Sequence, residues 1–281
     1  MKQRLMTPVL LERFAQALYR EERAPGTVEK YRRDLGSFAA WLNGRTVTSE
    51  AAAQWKESML AAGLAPATIN AKLSALNGLF RFLGWKECRV KFLKVQRRVF
   101  RDRNRELTRD EYNRLLSVAR ETGRERLELL LETICATGIR VSEVKFITVE
   151  AALAGRADVS LKGKLRTLLL PGKLCRKLLK YAKRQRIGSG EIFRTRRGSG
   201  LSRKQIWQEM KSLCKEAKVE PSKVFPHNLR HLFATVFYRA HKDIVKLADI
   251  LGHSSINTTR IYLQTTGAEH VRQMEMLELV T

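Results

Sequence analysis

The sequence predicts a mainly α protein: an all-α N-terminal helical bundle, then a second, mostly helical domain with a small antiparallel β-sheet. Two observations predict this fold class. Apolar residues recur at helical spacing through four N-terminal segments and again through most of the remaining chain. After Ile147 the spacing changes to short apolar stretches on either side of a Lys162-Gly163-Lys164 turn, which is typical of a hairpin.

The four N-terminal helices have recognisable starts. Pro8, Pro25 and Pro66 stand where the first, second and fourth helices would begin, and the third runs from about Thr48. Four amphipathic helices of this kind can bury a core without further segments. The first domain is therefore predicted to span residues 1–97.

A basic stretch separates this bundle from the second domain. Its weak periodicity is compatible with a solvated linker over residues 98–106, or with a strap that lies along phosphates. The candidate phosphate contacts are Arg97, Arg98, Arg101, Arg103 and Arg105. Thr108 and Glu111 form a capping-box pattern that begins the second domain, predicted over residues 107–281.

The second domain alternates helical and strand-like patterns. Helices are predicted over residues 127–136, 174–186 and 202–217, and Gly138 is expected to end the first of them. Short strands are predicted at Val149, Val159–Leu161, Arg166–Leu170 and Glu191–Phe193.

The last quarter of the chain has a further set of helix boundaries. Pro226 begins a helix on which His227 and Arg230, three residues apart, share a face. Leu251-Gly252 ends a second helix, so that His253 lies on a turn. Ser254 or Ser255 can cap a third helix, which carries Tyr262.

The composition points to a polyanionic partner. Lys and Arg total 54 against 28 Asp and Glu, a formal net charge of +26, and such an excess favours nucleic acid through release of counterions. The four scattered cysteines lack a metal-ligand spacing and indicate a reducing compartment. The sequence has no apolar run long enough to span a bilayer, so a cytoplasmic protein without a membrane partner is expected.

The candidate site residues suit phosphate chemistry. Two guanidiniums, Arg140 and Arg230, can hold the non-bridging oxygens of one phosphate and stabilise developing charge without a metal or another cofactor. His253 can add a donor, Tyr262 is the candidate nucleophile, and a hairpin lysine can protonate a leaving group. His227 and His231 have the spacing of a zinc-binding helix, but the cationic surroundings and the lack of an intervening Glu disfavour metal.

Three segments together resemble the tyrosine site-specific recombinases and phage-type integrases. The segment Ala-Thr-Gly-Ile-Arg140-Val-Ser-Glu143 looks like the family's first arginine box, and His227-Asn-Leu-Arg230-His231 looks like its H-x-x-R box. The segment Leu-Gly-His253-Ser-Ser-Ile-Asn-Thr-Thr-Arg-Ile-Tyr262 looks like its third histidine and nucleophile. The N-terminal helix starts resemble the family's core-binding, SAM-like domain, and the two-domain layout resembles Xer proteins and simple integrases.

The resemblance implies a mechanism and a partner. Tyr262 would attack a phosphodiester of double-stranded DNA, leaving a 3′-phosphotyrosyl link and a free 5′-hydroxyl. Arg140 and Arg230 would clamp the phosphate, His253 would hydrogen-bond it, and His227 would help to remove the tyrosine proton. Glu143 and His231 would support these groups. Four protomers, identical or of two kinds, would exchange strands in integration, excision or Xer-type resolution, without ATP, metal or a small-molecule substrate.

The sequence leaves two points open, the identity of the catalytic lysine and the class of activity. The family hairpin reads Lys-Gly-x-Lys-x-Arg, and this chain is one residue shorter, so Lys162 is favoured as the general acid with Lys164 as the alternative. The alternative interpretations are a type IB topoisomerase and a catalytically silent DNA-binding protein. The amphipathic segment Ala268–Val280 would pack on its own domain or dock on a neighbouring protomer.

Overall fold

The computed structural model describes residues 4–95, 105–161, 164–263, 271–272 and 274–277. The chain divides into two compact units, Met1–Arg97 and Arg98–Thr281, and each buries its own hydrophobic core. The mainly α fold class with one small antiparallel sheet is confirmed. Within the described ranges, no helix has both the length and the apolar character that crossing a membrane requires.

Four helices form the first unit: α1 (Pro8–Arg20), α2 (Pro25–Leu42), α3 (Ser49–Ala61) and α4 (Pro66–Phe82). Thr7 caps α1 through its side chain, and prolines stand at the starts of α1, α2 and α4 as predicted. The apolar faces of the helices meet around Phe38 and Phe80, which are fully buried. The predicted bundle is confirmed.

Two asparagines of α4 hold the segment that follows the bundle. The buried amide of Asn77 donates to the carbonyl of Val90 and accepts from the N–H of Val90, both at 2.9 Å. Asn70 makes the same pair of bonds with Leu93, at 2.9 and 2.8 Å. Each side-chain amide thus satisfies backbone groups that have no neighbouring strand to pair with.

We expect Asn77→Ala to lower the free energy of unfolding of the first unit by about 2–4 kcal/mol, because it leaves a buried N–H and a buried C=O of Val90 without partners. Urea unfolding followed by tryptophan fluorescence measures this, since three of the four tryptophans, Trp41, Trp55 and Trp85, lie in this unit. Gln16→Ala removes an exposed amide from α1 and is the matched control. Equal shifts in the two variants would contradict the prediction.

The second unit contains eight α-helices in the described residues: α5 (Arg109–Glu121), α6 (Glu125–Thr137), α7 (Val149–Ala154), α8 (Gly172–Arg184), α9 (Arg203–Ser212), α10 (Pro226–His241), α11 (Ile244–Leu251) and α12 (Ile256–Thr259). The capping box that begins α5 is confirmed, with bonds of 3.1 and 2.8 Å between Thr108 and Glu111. Helix α6 is central to the core, as its fully buried Leu130, Leu131 and Ile134 show. It packs mainly on α10, α5 and α8.

A two-stranded hairpin completes the unit. Strand β1 (Arg156–Leu161) pairs antiparallel with β2 (Lys164–Leu169), in a register that places Leu161 opposite Lys164. The hairpin itself is confirmed. Two residues, Lys162 and Gly163, join the strands and lie outside the described ranges.

Two of the strand predictions are wrong. Val149 begins helix α7, because Thr148 caps that segment and the alanines that follow favour a helix. Glu191–Phe193 forms only an isolated bridge between Thr148 and Glu191. The bridge cannot extend into a ladder, since its partner segment turns into α7 directly afterwards.

Candidate active site

Arg140 lies just beyond the end of α6, where the chain reverses at Gly138. Gly138 has a φ of +63°, and a Cβ there would lie 2.5 Å from a ring carbon of Phe233, so only glycine fits. Arg140 then precedes the 3₁₀ turn Val141–Phe146. The carboxylate of Glu143, 2% exposed, accepts from the backbone N–H of Arg140 at 2.8 Å and from its Nη1 at 2.9 Å. Glu143 therefore fixes both the backbone and the guanidinium of Arg140.

Strand β2 brings a second guanidinium to the same carboxylate. Arg166 donates from Nη2 to Glu143 at 2.5 Å and from Nη1 to the carbonyl of Ile250 at 3.1 Å. Gly252 has a φ of +62°, and a Cβ there would lie 2.6 Å from Cδ of Arg166. Glycine at this turn therefore leaves room for the arginine side chain. Burial lowers the pKa of Arg166, and the charge of Glu143 offsets part of that effect.

Arg230 of α10 is the most buried of the three guanidiniums, at 3% exposure. Its Nη1 donates to the carbonyl of Gly138, and its Nη2 donates to the carbonyl of Leu251 at 2.7 Å. Burial lowers the pKa of Arg230, and the charge of Arg140 lowers it further. Because arginine keeps its proton in proteins, the lowered pKa expresses the cost of burying this cation beside another one, which a bound anion would relieve.

The end of α11 holds all three guanidiniums. Three successive carbonyls accept one hydrogen bond each, those of Ile250, Leu251 and Gly252. The donors are, in the same order, Arg166 at 3.1 Å, Arg230 at 2.7 Å and Arg140 at 3.3 Å. The last carbonyls of a helix lack intrahelical partners and carry partial negative charge, so this end is suited to cations.

His253 follows the Gly252 turn and is bonded at both ring nitrogens. Its Nε2 lies 2.9 Å from Nη2 of Arg230, and its Nδ1 lies 2.9 Å from the hydroxyl of Thr259. Burial lowers the pKa of His253 to about 4, and the charges of Arg230 and Arg140 add to that effect. The imidazole is therefore neutral near pH 7.

Tyr262 lies in a 3₁₀ turn after α12 and is 5% exposed. Its ring is stacked on that of His253, with centroids 5.8 Å apart, and meets the edge of His231 at 5.1 Å. His227, an exposed residue in the first turn of α10, has its ring centroid 6.2 Å from that of Tyr262. One side of the imidazole is nevertheless covered by its neighbours, and this partial burial, followed by the charge of Arg230, lowers the pKa of His227. Three imidazoles and a guanidinium thus surround one tyrosine of the same chain.

The structure brings together seven of the predicted site residues: Arg140, Glu143, His227, Arg230, His231, His253 and Tyr262. Lys162 lies outside the described residues, as do Arg97, Arg98, Arg101 and Arg103. Lys164 is the first residue of β2, and Arg105 is exposed, with its backbone carbonyl bound to the amide of Asn228 at 2.8 Å.

Two residues of the site were missed from the sequence. Arg166 could have been found, because strand alternation places it on the same face as the apolar Leu168, a face that is expected to lie against the core. Thr259 could not, since nothing in the sequence separates it from the exposed Thr258 beside it.

The arrangement is chemically suited to an anion beside a hydroxyl group. Among the described contacts, Arg140 and Arg166 share the carboxylate of Glu143, whereas Arg230 donates to backbone carbonyls, which leaves an excess of positive charge. Fixed donors of this kind stabilise charge on a phosphoryl group. Among the described residues, no group of three His, Cys, Asp or Glu side chains could hold a metal ion.

Comparison with known proteins gives matches over both units. Residues 105–269 match the phage integrase family, and residues 11–87 match the N-terminal SAM-like domain of phage integrases. Tyrosine recombinase XerA of Pyrococcus furiosus is 29% identical, over 97% of this chain and 95% of its own length. Tyrosine recombinase XerA of Thermococcus kodakarensis is 30% identical, over 95% of this chain and 94% of its own.

Solved structures share the fold. A lambda integrase dimer bound to a COC′ core site aligns with a TM-score of 0.75 at 18% identity, over 93% of this chain and 96% of that one. The Tn1549 transposon integrase, in complex with transposon right end DNA, aligns with a TM-score of 0.73 at 17% identity, over 97% and 99%. The family match covers more than half of the chain and relatives align along almost all of it, so this protein belongs to the phage integrase family and is a Xer-like tyrosine recombinase.

Proposed function

We propose that this protein is a site-specific recombinase that cleaves and rejoins double-stranded DNA through a 3′-phosphotyrosyl intermediate. The observation that carries the proposal is the position of Tyr262, packed on His253 and His231 beside the buried Arg230 within one chain. Membership of the tyrosine recombinase family supports strand exchange over the topoisomerase and silent-binding alternatives.

In the proposed first step, Oη of Tyr262 attacks the scissile phosphorus and the bond from phosphorus to the 5′-oxygen breaks. Arg140 and Arg230 hold the non-bridging oxygens, and His253 donates to one of them. His227 takes the tyrosine proton, which suits an imidazole whose lowered pKa keeps it neutral. Glu143 holds Arg140 in place, and His231 does the same for the tyrosine. The new ester retains the bond energy, so rejoining needs no ATP.

A lysine of the hairpin protonates the departing 5′-oxygen in this scheme, and we favour Lys162 over Lys164. Lys162→Ala is expected to slow cleavage by about 10²–10⁴-fold, the usual contribution of a general acid. A substrate with sulfur in place of the 5′-bridging oxygen leaves as a thiolate without a proton, and should restore the rate. Lys164→Ala is the matched control, and rescue by sulfur of that variant alone would assign the role to Lys164.

Double-stranded DNA is the proposed partner. The net charge of +26 supports it, and the lambda integrase and Tn1549 integrase structures contain DNA. We further propose that the arginines of the interdomain stretch, Arg97, Arg98, Arg101, Arg103 and Arg105, contact phosphates. Their replacement should weaken binding uniformly across sequences and reduce its salt dependence.

The experiment uses a pool of nicked duplexes of randomised sequence, in which the fragment downstream of cleavage is short enough to dissociate. Protein incubated with this pool is denatured and separated on a gel. A 3′-phosphotyrosyl link retains a 5′ label on the protein and loses a 3′ label, so the two labels define the linkage. Sequencing the trapped DNA then defines the site. DNA binding without any denaturation-resistant adduct would overturn the proposal.

Strand exchange further implies four protomers around two duplexes, of one or two kinds. The described C-terminal residues leave apolar side chains exposed, among them Met274, Met276 and Leu277, and we propose that this segment joins neighbouring protomers. Mass measurement of the complexes on the trapped site, with the full chain and with a chain ending before Ala268, tests this. Unchanged assembly and cleavage after truncation would contradict it.

A further inference from the structure

His253 is bonded in a way that conflicts with donating to a phosphate. Arginine only donates hydrogen bonds, so Nε2 of His253, 2.9 Å from Nη2 of Arg230, must be an acceptor. The ring is neutral and its proton therefore lies on Nδ1, from which it donates to the hydroxyl of Thr259 at 2.9 Å. Nε2 of His253, the ring nitrogen that faces Arg230, thus carries no hydrogen in the free protein.

The proposed function, on which this inference rests, needs the opposite arrangement. A hydrogen bond from His253 to a phosphate oxygen requires a proton on Nε2, and the same nitrogen cannot also accept from Arg230. In a neutral ring, Nδ1 must then be an acceptor. The ring loses one proton from Nδ1 and gains one at Nε2 by exchange with solvent, so no net proton is taken up.

Thr259 is the partner that can serve both states. A hydroxyl both accepts and donates, so Thr259 can accept from Nδ1 in the free protein and donate to Nδ1 when the anion is bound. The residue is fully buried as the last residue of α12, three positions before Tyr262. Its hydroxyl thus faces His253 from the segment that also carries the tyrosine.

We propose that Thr259 is a positioning residue, whose hydroxyl reverses its hydrogen bond so that His253 changes from an acceptor of Arg230 to a donor to the scissile phosphate. Thr259 touches no reacting atom in this scheme. It acts through the imidazole, by keeping Nδ1 satisfied in both tautomers. Valine has the same shape as threonine but no hydroxyl, so it cannot hydrogen-bond to Nδ1 in either tautomer.

The first test is the rate of adduct formation on the nicked duplex pool. Thr259→Val is expected to slow it about tenfold or more, which corresponds to the loss of roughly 1.4 kcal/mol. Thr259→Ser keeps the hydroxyl and should restore most of the rate. Thr258→Val changes the exposed neighbour on the same helix and should leave the rate unchanged. A native rate in Thr259→Val, or a slow Thr259→Ser, would overturn the inference.

A double-mutant cycle separates positioning from packing. If Thr259 acts through His253, Thr259→Val should add no further loss in a His253→Ala background. An equal further loss in that background would show a structural role instead.

The second test needs no activity. In protein labelled with ¹⁵N at histidine, His253 should carry its proton on Nδ1 when free and on Nε2 in a Tyr262→Phe protein bound to the duplex pool. A free protein with the proton on Nε2 would refute the inference. Failure of the native protein to form adducts would instead count against the proposed function, so the two failures are distinguishable.

Discussion

Tyr262→Phe is expected to abolish the covalent adduct with DNA, down to the detection limit of the assay. Phenylalanine keeps the ring stacked on His253 and in edge contact with His231, but it has no oxygen to attack phosphorus. The fold and the DNA affinity should therefore stay close to native. The measurement is the fraction of 5′-labelled DNA retained on denatured protein, together with a binding curve at fixed salt.

Tyr238→Phe is the matched control for this variant. It removes a phenol hydroxyl from α10, on a ring that lies under the ammonium of Lys242 rather than among the histidines. The control should form the adduct at the native rate. An adduct in Tyr262→Phe would mean that another residue is the nucleophile, and the proposed chemistry would have to be abandoned.

Arg230→Lys should lower the rate of adduct formation by about 10²–10³-fold, the range for loss of one preorganised donor of an oxyanion site. The change keeps the positive charge, so it tests geometry. A guanidinium reaches the carbonyls of Gly138 and Leu251 while facing His253, whereas an ammonium is a compact point charge that cannot bridge them. Single-turnover rates at saturating DNA measure the effect without a contribution from affinity.

Arg239→Lys makes the same substitution at an exposed position of the same helix and should leave the rate within about twofold, as surface changes usually do. Thermal unfolding of both variants shows how much of the loss comes from instability, because Arg230 is buried and Arg239 is not. A folded Arg230→Lys protein that cleaves at the native rate would show that bidentate contact at this residue is dispensable.

Local signals in the sequence predicted most of the architecture. Prolines at helix starts, the Thr108–Glu111 capping box and the glycines at 138 and 252 act within a few residues, and the structure has each boundary near the predicted place. The resemblance predicted that the motif residues between Arg140 and Tyr262 lie close together, and those that the structure describes do so. Their catalytic roles remain proposals.

The strand predicted at Val149 was wrong for a local reason, whereas the other misses arose where tertiary contacts decide. Val149 is β-branched, as many strand residues are, but the cap at Thr148 and the alanines that follow favour a helix. The bond between Thr259 and His253 depends on how a four-residue helix meets the Gly252 turn, which no periodicity expresses. Arg166 was predicted as part of a strand. Its hydrogen-bond partners, Glu143 and Ile250, are distant from it in the sequence, and no strand pattern identifies them.

The contacts at the end of α11 constrain which sequence changes this protein can tolerate. The groups that hold the three arginines there belong to the backbone, so the exposed side chains of the helix, such as Val245, are free to change. The helix length is not free. Inserting one residue would rotate the terminal carbonyls by about 100° and shift them by about 1.5 Å, displacing all three arginines together. Recombinases engineered from this chain should therefore tolerate new amino acids in α11 but no change in its number of residues.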